Sequence, residues 1–557
     1  MTQEEDKASL SNNQKGGFRA SMFIFAFSAL ENMGFIANTD SMVLYFIDVM
    51  NFDVPSASNT LTNLAGSTFL LSLVGGFVSD TYLNRLHTVL LFGILEILGL
   101  ALLTIQARYE SLHPEYCGGK SRSVEGGIAV LMLYASLILL ALGSGGVRGA
   151  LVVLGADQFD QKDPEEAKGL ATFFNWLRLS TVMGGAVGVT AIVWVSTTKK
   201  WYWGFFISTV VASAGYVVLA AGKPFFRLQA PGESPILRIA KAITVIGWAI
   251  KNRKLPLPDK PEVLYENDDK ESTEEKIGYT NQFRFLDKAA IVVPEGSEAA
   301  ICRVSQVEEV KILIRMLPIL GSTIIMNTCS AQLQTFSVQQ GNIMDLHLGS
   351  LEVPAASVPV IPLVFTCILL PAYEFLFVPF ARKITHHPSG ITQLQRVGVG
   401  LVLSAISMAV AGIVEVKRRD QTKKDIGNPI SVFWLSFQYG ISGIADMFTL
   451  VGMLEFFYKE APACMRSLST SFTYLSLSFG YFLSSVFVDL INAITKRVAA
   501  PSRKGWIEGT NLNDNNLNLF YWFLAILSCL NFINYLFWAS WYKYKAEEDH
   551  PQPNYSN

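Results

Sequence analysis

The chain has 557 residues, of which 50% are hydrophobic, 12% aromatic and 16% charged, with a formal net charge of −2 and a mean hydropathy of +0.33. A soluble protein of this length carries roughly 25% charged residues spread over several cores, so the composition excludes that class and describes an integral membrane protein. The small net charge gives no attraction for nucleic acid, and six cysteines (117, 302, 329, 367, 464, 529) without CxxC or metal spacing give neither a disulfide framework nor a metal site.

The polar N-terminus, MTQEEDKASLSNNQKGGF, lacks the apolar core and cleavage site of a signal peptide, so the first span is expected to insert uncleaved. Apolar segments long enough to cross about 30 Å of hydrocarbon follow at residues 20–48, 57–80, 87–107, 127–156, 171–196 and 201–222. A second set follows at 308–340, 352–382, 393–416, 430–458, 466–494 and 516–542. Between the sets, LPLPDKPEVLYENDDKESTEEK is charged and proline-rich without apolar period, and reads as a solvated linker. The basic amphipathic stretch 235–254 suits either a helix on the membrane surface or a linker helix packed on the bundle. The expected organisation is a tail (1–19), a six-helix half (20–222), a cytoplasmic linker (223–307), a second six-helix half (308–545) and a C-terminal tail (546–557).

Loop charge orients the chain. The linker, the loop at Asn84 and Arg85, and the basic stretch 381–387 fall on one side with both termini, which are therefore expected in the cytoplasm. One loop dissents: VKRRDQTKKD, residues 416–425, falls on the opposite side. Two matched sets of six spans are the pattern of a secondary carrier, with its site at the midplane between pseudosymmetric halves.

Polar residues inside the spans are the candidates for that site, because an ionised group there is costly and faces a partner or a water-filled cavity. Span 4 carries Arg148 among glycines 143, 145, 146 and 149, which let another backbone approach closely. Span 1 carries Glu31, Asn32, Asn38 and Asp40, with Glu31 and Asn38 two turns apart on one face. Span 5 adds Asn175 and Arg178; span 7 adds Asn327, Ser330, Gln332 and Gln334; span 10 adds Gln438, Asp446 and Glu455. Asp446 is the natural partner of Arg148 across the halves, and breaking that pair would open one face of the cavity. Two arginines with few acids would favour an anionic substrate, and aromatic walls would suit one with apolar rings. HExxH, G-x-S-x-G, P-loop and paired-cysteine patterns are missing, and all six histidines lie in loops, at span ends or in the tail, so the chain reads as a non-enzyme. GSGG at 143–146 lies in an apolar span and does not read as a phosphate loop.

GGFVSDTYLNR after span 2 resembles the conserved loop of the major facilitator superfamily through Gly76, Asp80 and Arg85. Its physical role would be a latch, the carboxylate bonding a neighbouring helix end in one state and releasing it in another. GSGGVRGALVVLGADQFD, FFNW (173–176), QFRFLDKAAIV (282–292), VSQVEEVKILIRMLPI (304–319) and GITQLQRVGVG (390–400) are similar to plant proton-coupled nitrate and peptide transporters of that superfamily, over about residues 17–545. ALEN in span 1 and the stretches 471–485 and 517–542 resemble the subfamily known for abscisic acid and gibberellin transport.

This resemblance implies an all-α, twelve-helix major facilitator fold and an alternating-access carrier, without cofactor or metal. The span 4 base would be Arg148 and its acidic span 10 partner Asp446. The proton-coupling motif of span 1, Glu-x-x-Glu-Arg or Lys, falls on Ser28, Glu31 and Asn32, so its first acid and its base are missing and coupling is expected to be altered. The histidine used for nitrate falls on Ser330. The substrate site is expected at Glu31, Asn32, Asn38, Arg148, Arg178, Ser330, Gln334 and Asp446, with gating or coupling by Glu31, Arg148, Asp446, Asp80 and Arg85. An abscisic acid- or gibberellin-type anion leads; nitrate, a glycoside carrier and a non-transporting sensor are the alternatives. The expected partners are a small anionic substrate, protons and a lipid bilayer, in a monomer or dimer, at the plasma membrane or alternatively the vacuolar membrane.

Overall fold

A computed structural model of the chain describes residues 16–52, 54–113, 127–160, 163–229, 244–253, 264, 279–291, 302–341, 343–348, 351–352, 358–385, 390–425, 428–461, 465–498, 505–507 and 512–544. Its twelve spans are α1 (Gly17–Asp48), α2 (Asn59–Thr81), α3 (Arg85–Arg108), α4 (Ile128–Ala156), α5 (Glu166–Thr198), α6 (Trp201–Phe225), α7 (Val304–Gly341), α8 (Val360–Thr385), α9 (Gln393–Lys424), α10 (Val432–Glu460), α11 (Arg466–Arg497) and α12 (Leu517–Trp541). A helix satisfies most of its backbone polar groups internally, as a segment in hydrocarbon must, and Pro318 in α7 and Pro371 in α8 each remove one donor from that ladder. Their outer faces present Ile94, Leu131, Ile138, Val217, Phe375 and Leu376 to the surroundings, as a lipid-facing surface requires.

Helix starts follow local chemistry. Asn84 caps α3, its Oδ1 accepting the His87 N–H at 2.9 Å. Thr392 and Gln395 form a reciprocal capping box at α9. One π-turn interrupts α5 at Gly188–Ile192 and another interrupts α8 at Tyr373–Phe377. A two-stranded hairpin pairs His347–Leu348 with Leu351–Glu352.

Small residues set how closely the helices cross. A Cβ on Gly75 or Gly149 would overlap the backbone of the facing helix, so α2 and α4 meet main chain to main chain. The other face of α2 meets α11 of the second half. There Gly66 lies against Phe482, and Gly76 against Ser467 and Ser471. The Ser471 hydroxyl donates to the Ser72 carbonyl (3.0 Å) and the Ser478 hydroxyl to the Gly66 carbonyl (2.7 Å).

The basic stretch 416–425 is not a loop but the end of α9 as far as Lys424, and three of its five cations are engaged by the protein while Lys423 and Lys424 are exposed. Lys417 sits 3.4 Å over the Trp434 ring. Arg418 donates to Glu415 at 2.7 and 2.8 Å and to Asn513 at 2.6 Å, and Arg419 donates to Asn518 at 2.7 Å. These cations are bound to the protein instead of standing free beside the membrane. Of the amphipathic stretch 235–254, residues 244–253 are described; the rest lies outside the described residues. Val245 and Ala249 bury against Leu286, Ala290 and Val310, which matches a helix packed on the bundle.

Candidate functional site

Between the two halves lies a cavity of about 290 Å³. That is near the lower end of the range of about 300–1,000 Å³ usual for small-molecule sites. On α1 its wall follows a helical stripe: Ser28, then Glu31 and Asn32, Phe35 and Ile36, Thr39 and Asp40. Phe69, Leu177, Leu333 and Pro362 supply apolar surface from other helices. The charged lining residues are Glu31, Asp40, Arg148, Arg178 and Asp446.

Arg148 does not pair with Asp446 here. Its guanidinium lies 3.3 Å from Glu31, donates to Asn32 Oδ1 at 3.3 Å and to the Ser144 carbonyl at 3.1 Å, and covers the Phe35 ring at 3.9 Å. Two residues of the adjoining helix reach it first. Asp446 instead accepts the Ser330 hydroxyl at 3.1 Å, and the nearest cation acting on it is Arg178. The expected cross-half pair is thus replaced by a pair within the first half and a looser Arg178–Asp446 approach across the halves.

Arg178 is half-buried because it faces the cavity, and its buried Nε has no hydrogen-bond partner among the described residues. Ser330 and Gln334 also line the cavity, Gln334 accepting the Tyr481 hydroxyl at 3.0 Å. Asn38 does not line it. Seven residues fall about 20° short of two full turns, and Asn38 lies beyond the edge of the stripe on which Glu31 sits. Its Oδ1 accepts from Ser208 on α6 at 3.2 Å. The expected excess of cations also fails: three acids and two arginines give 2 − 3 = −1 with all ionised.

One residue was passed over in the sequence. Glu96, in the apolar run GILEILGL of α3, is buried behind the cavity wall and accepts the Tyr216 hydroxyl at 2.5 Å. Glu31 and Arg148 are the charged groups acting on it. A Cβ on Gly93 would overlap the Tyr216 ring, and one on Gly143 would come within 2.5 Å of the Glu96 backbone nitrogen. These glycines admit the phenol and the carboxyl-bearing helix, and only the folded arrangement shows what they accommodate.

The end of the bundle that carries the linker is held shut by polar contacts between the halves. Asp80 accepts the Leu468 N–H at the start of α11 (3.0 Å) and stands 3.6 Å from Arg85. Arg85 pairs with Asp157 and donates to the Ser467 hydroxyl at 3.2 Å. The Tyr458 hydroxyl donates to Asp157 at 2.9 Å. A second group joins α5 to the other half: Thr172 and Asn175 donate to Glu374 at 2.7 and 2.5 Å, and Arg396 donates to Asn175 at 2.5 Å.

A family model described as PTR2, POT family, matches residues 86–507. The chain is 39% identical to Protein NRT1/ PTR FAMILY 4.6 of Arabidopsis thaliana, covering 95% of each chain, and 41% identical to Protein NRT1/ PTR FAMILY 4.5 of the same plant, covering 97% of this chain and 95% of that one. It also resembles the in meso crystal structure of the POT family transporter PepTSo, with a TM-score of 0.64 at 17% identity over 94% of this chain and 98% of that one. An auto-inhibited POT family peptide transporter gives a TM-score of 0.61 at 19% identity, over 96% and 99%. With twelve apolar helices in the fold of those structures, this chain belongs to the POT family and is a multi-pass membrane transporter of the NRT1/PTR type.

Proposed function

We propose that this transporter is an alternating-access carrier of an organic anion of the abscisic acid or gibberellin type, captured outside the closed linker end. The observation that carries the reading is Arg178: a guanidinium on the cavity wall whose buried Nε has no hydrogen-bond partner among the described residues. A substrate carboxylate would meet that donor fork through charge-assisted bonds. Phe35, Phe69, Phe174 and Leu177 would bury its apolar rings. Asn32, Ser330 and Gln334 would orient its polar groups, and Asp446 would yield Arg178 to the arriving carboxylate. Serine at 330 offers no imidazole to a small anion such as nitrate, which favours the organic acid. Asp80 and Arg85 would hold the linker-end latch, between halves spanning 20–222 and 308–545. Because the lining acids outnumber its arginines, entry of an anion is favoured when a carboxylate of the cavity takes up a proton.

Uptake of radiolabelled abscisic acid, gibberellin, nitrate and a dipeptide into frog oocytes, at acid and neutral external pH, tests the reading. One or both hormones should accumulate, faster at acid pH, and Arg178→Ala should abolish uptake with normal surface expression. Accumulation of only nitrate or the dipeptide, or full activity of Arg178→Ala, would overturn it.

A further inference from the structure

Packing on the bundle accounts for one face of the linker helix and leaves another open. Residues 244–251 are helical. Val245 and Ala249 are buried against the bundle, whereas Ile246 and Ile250, one position further round and one turn apart, are 37% and 59% exposed. The segment 279–291 beside them adds Phe285, 54% exposed. These apolar groups are held in place. Asp287 pairs with Lys311 of α7 at 2.6 Å, the Thr280 hydroxyl donates to Glu308 of α7 at 2.6 Å, and Gln282 donates to the Trp541 carbonyl at the end of α12 at 2.7 Å. Asn252 donates to the Lys288 carbonyl at 2.9 Å and Lys288 to the Arg253 carbonyl at 2.6 Å, which ties the helix to the segment.

Depth and charge identify what covers the open face. Rings follow one another from Phe285 to Phe283 (6.1 Å between centroids), Trp541 (5.3 Å), Trp538 (5.5 Å) and Phe537 (5.1 Å), the last exposed on the outer face of α12. Tryptophans at the end of a span sit at the headgroup level of the bilayer, so Phe285 extends the same aromatic belt. Among the described residues from 244 to 291, the exposed charged side chains are Lys251, Arg253 and Arg284, all cations; the single acid, Asp287, is buried and paired with Lys311. Lys251 lies 4.1 Å over the Trp248 ring, which carries its charge on the edge of an apolar surface.

We infer that this face is a membrane-binding shelf. Ile246, Ile250 and Phe285 insert into the interface of the leaflet at the linker end, and Lys251, Arg253 and Arg284 bind the anionic phospholipid headgroups of that leaflet. An amphipathic surface of this kind is held by buried apolar area and by attraction to anionic lipid together. Each cation close to such a leaflet strengthens binding about fivefold. The bonds that pin the shelf go to α7 and α12, both of the second half, so lipid charge anchors that half and leaves the first to move against it.

The test uses the full-length protein in vesicles of phosphatidylcholine, with and without phosphatidylserine, carrying the photoreactive residue p-benzoylphenylalanine in place of Ile250 or, in a second variant, of Phe285. Illumination should join either position to tritiated lipid, with phosphatidylserine captured well above its share of the mixture. Lys251→Gln and Arg284→Gln, both at exposed positions, should each lower that preference by up to about fivefold, and raised salt should lower it too. Absence of lipid cross-links at both positions in the folded protein overturns the shelf. Cross-links that show no preference for phosphatidylserine, and do not respond to the substitutions or to salt, overturn the role given to the cations. Neither readout involves transport, so the shelf stands or falls apart from the identity of the substrate.

Discussion

Replacing Asp80 with alanine should open the linker end of the cavity. Asp80 is buried, accepts one backbone N–H at 3.0 Å from the opposite half and faces Arg85 at 3.6 Å. A hydrogen bond to a charged group contributes about 1.5–3 kcal/mol. At about 1.4 kcal/mol per factor of ten, its loss moves the closed-to-open ratio by about 10- to 150-fold. An open state populated at about 1% would then rise to roughly a tenth to just over half of the molecules. The charges push the same way. Arg85 and Arg466 stand opposite Asp80 and Asp157, Arg466 lying 4.0 Å from Asp157. Without Asp80 one carboxylate, Asp157, is left to two guanidinium groups, Arg85 of its own half and Arg466 of the other. Pulsed electron paramagnetic resonance between spin labels on the linker ends of α4 and α10 reads the two populations directly. Asp80→Ala should add a longer distance, and Asp80→Asn, which keeps an acceptor for the Leu468 N–H, should add less of it. A distance distribution unchanged from the parent in Asp80→Ala, with the protein intact, would refute the latch.

Glu374→Ala, which removes the acceptor of both Thr172 and Asn175, should produce the same longer distance, and its effect should add to that of Asp80→Ala because the two groups are separate clusters. Gly184→Ala should lower the melting temperature in detergent, since its Cβ would overlap the Ala29 backbone and overpacking costs about 1–3 kcal/mol. Gly321→Ala, where nothing lies within 4 Å, should leave it unchanged or raise it. Lys311 is fully buried between Glu308 (2.7 Å) and Asp287 (2.6 Å), so Lys311→Met should cost about 3–5 kcal/mol in thermal unfolding. Burial already holds the Asp287 carboxyl above its usual range, against the opposing pull of Lys311. A group raised in the folded state contributes stability at low pH that is lost as pH rises through its folded value. The deficit of Lys311→Met should therefore shrink at acid pH; a deficit that grows there would contradict the assignment.

The spans were legible because each is a long apolar run between polar loops, and the boundaries lie within five residues of the observed helices except at the start of span 8 (352 against Val360) and the end of span 9 (416 against Lys424). The cavity was legible through Arg148 and Arg178, since charges in such runs demand a polar site. Partner choice was not. Glu31 and Asp446 are both acids in apolar helices, and only the crossing of α1 with α4 decides which one reaches Arg148. Glu96 was hidden because it stands alone in α3; its meaning comes from Gly93 on its own helix and from Gly143 and Tyr216, brought to it by α4 and α6. Asn38 shares a face with Glu31 in projection, yet its shorter side chain turns toward Ser208. In the basic stretch 416–425 a count of charges treats all five cations alike, whereas Lys417, Arg418 and Arg419 are engaged by Trp434, Glu415 and Asn518 and Lys423 and Lys424 are exposed.

The two faces of α2 divide mechanical labour. Against α4, glycine main chain meets main chain with no side chain free to rearrange, so the pair must travel as one stiff beam. Against α11, the contact is a track of glycines and serines, with Ser471 and Ser478 bonded to carbonyls of a helix that offers further carbonyls one turn along. A hydroxyl on such a track can exchange one acceptor for the next without leaving a buried group unpaired, and the bulky contacts are few, with Phe482 on Gly66 and Phe69 against Tyr474 and Tyr481. The polar part of the seam between the halves is therefore easily re-registered. The resistance to opening is concentrated in the ionic clamps at its end, which is where a partner protein or a modification could regulate the carrier with least effort.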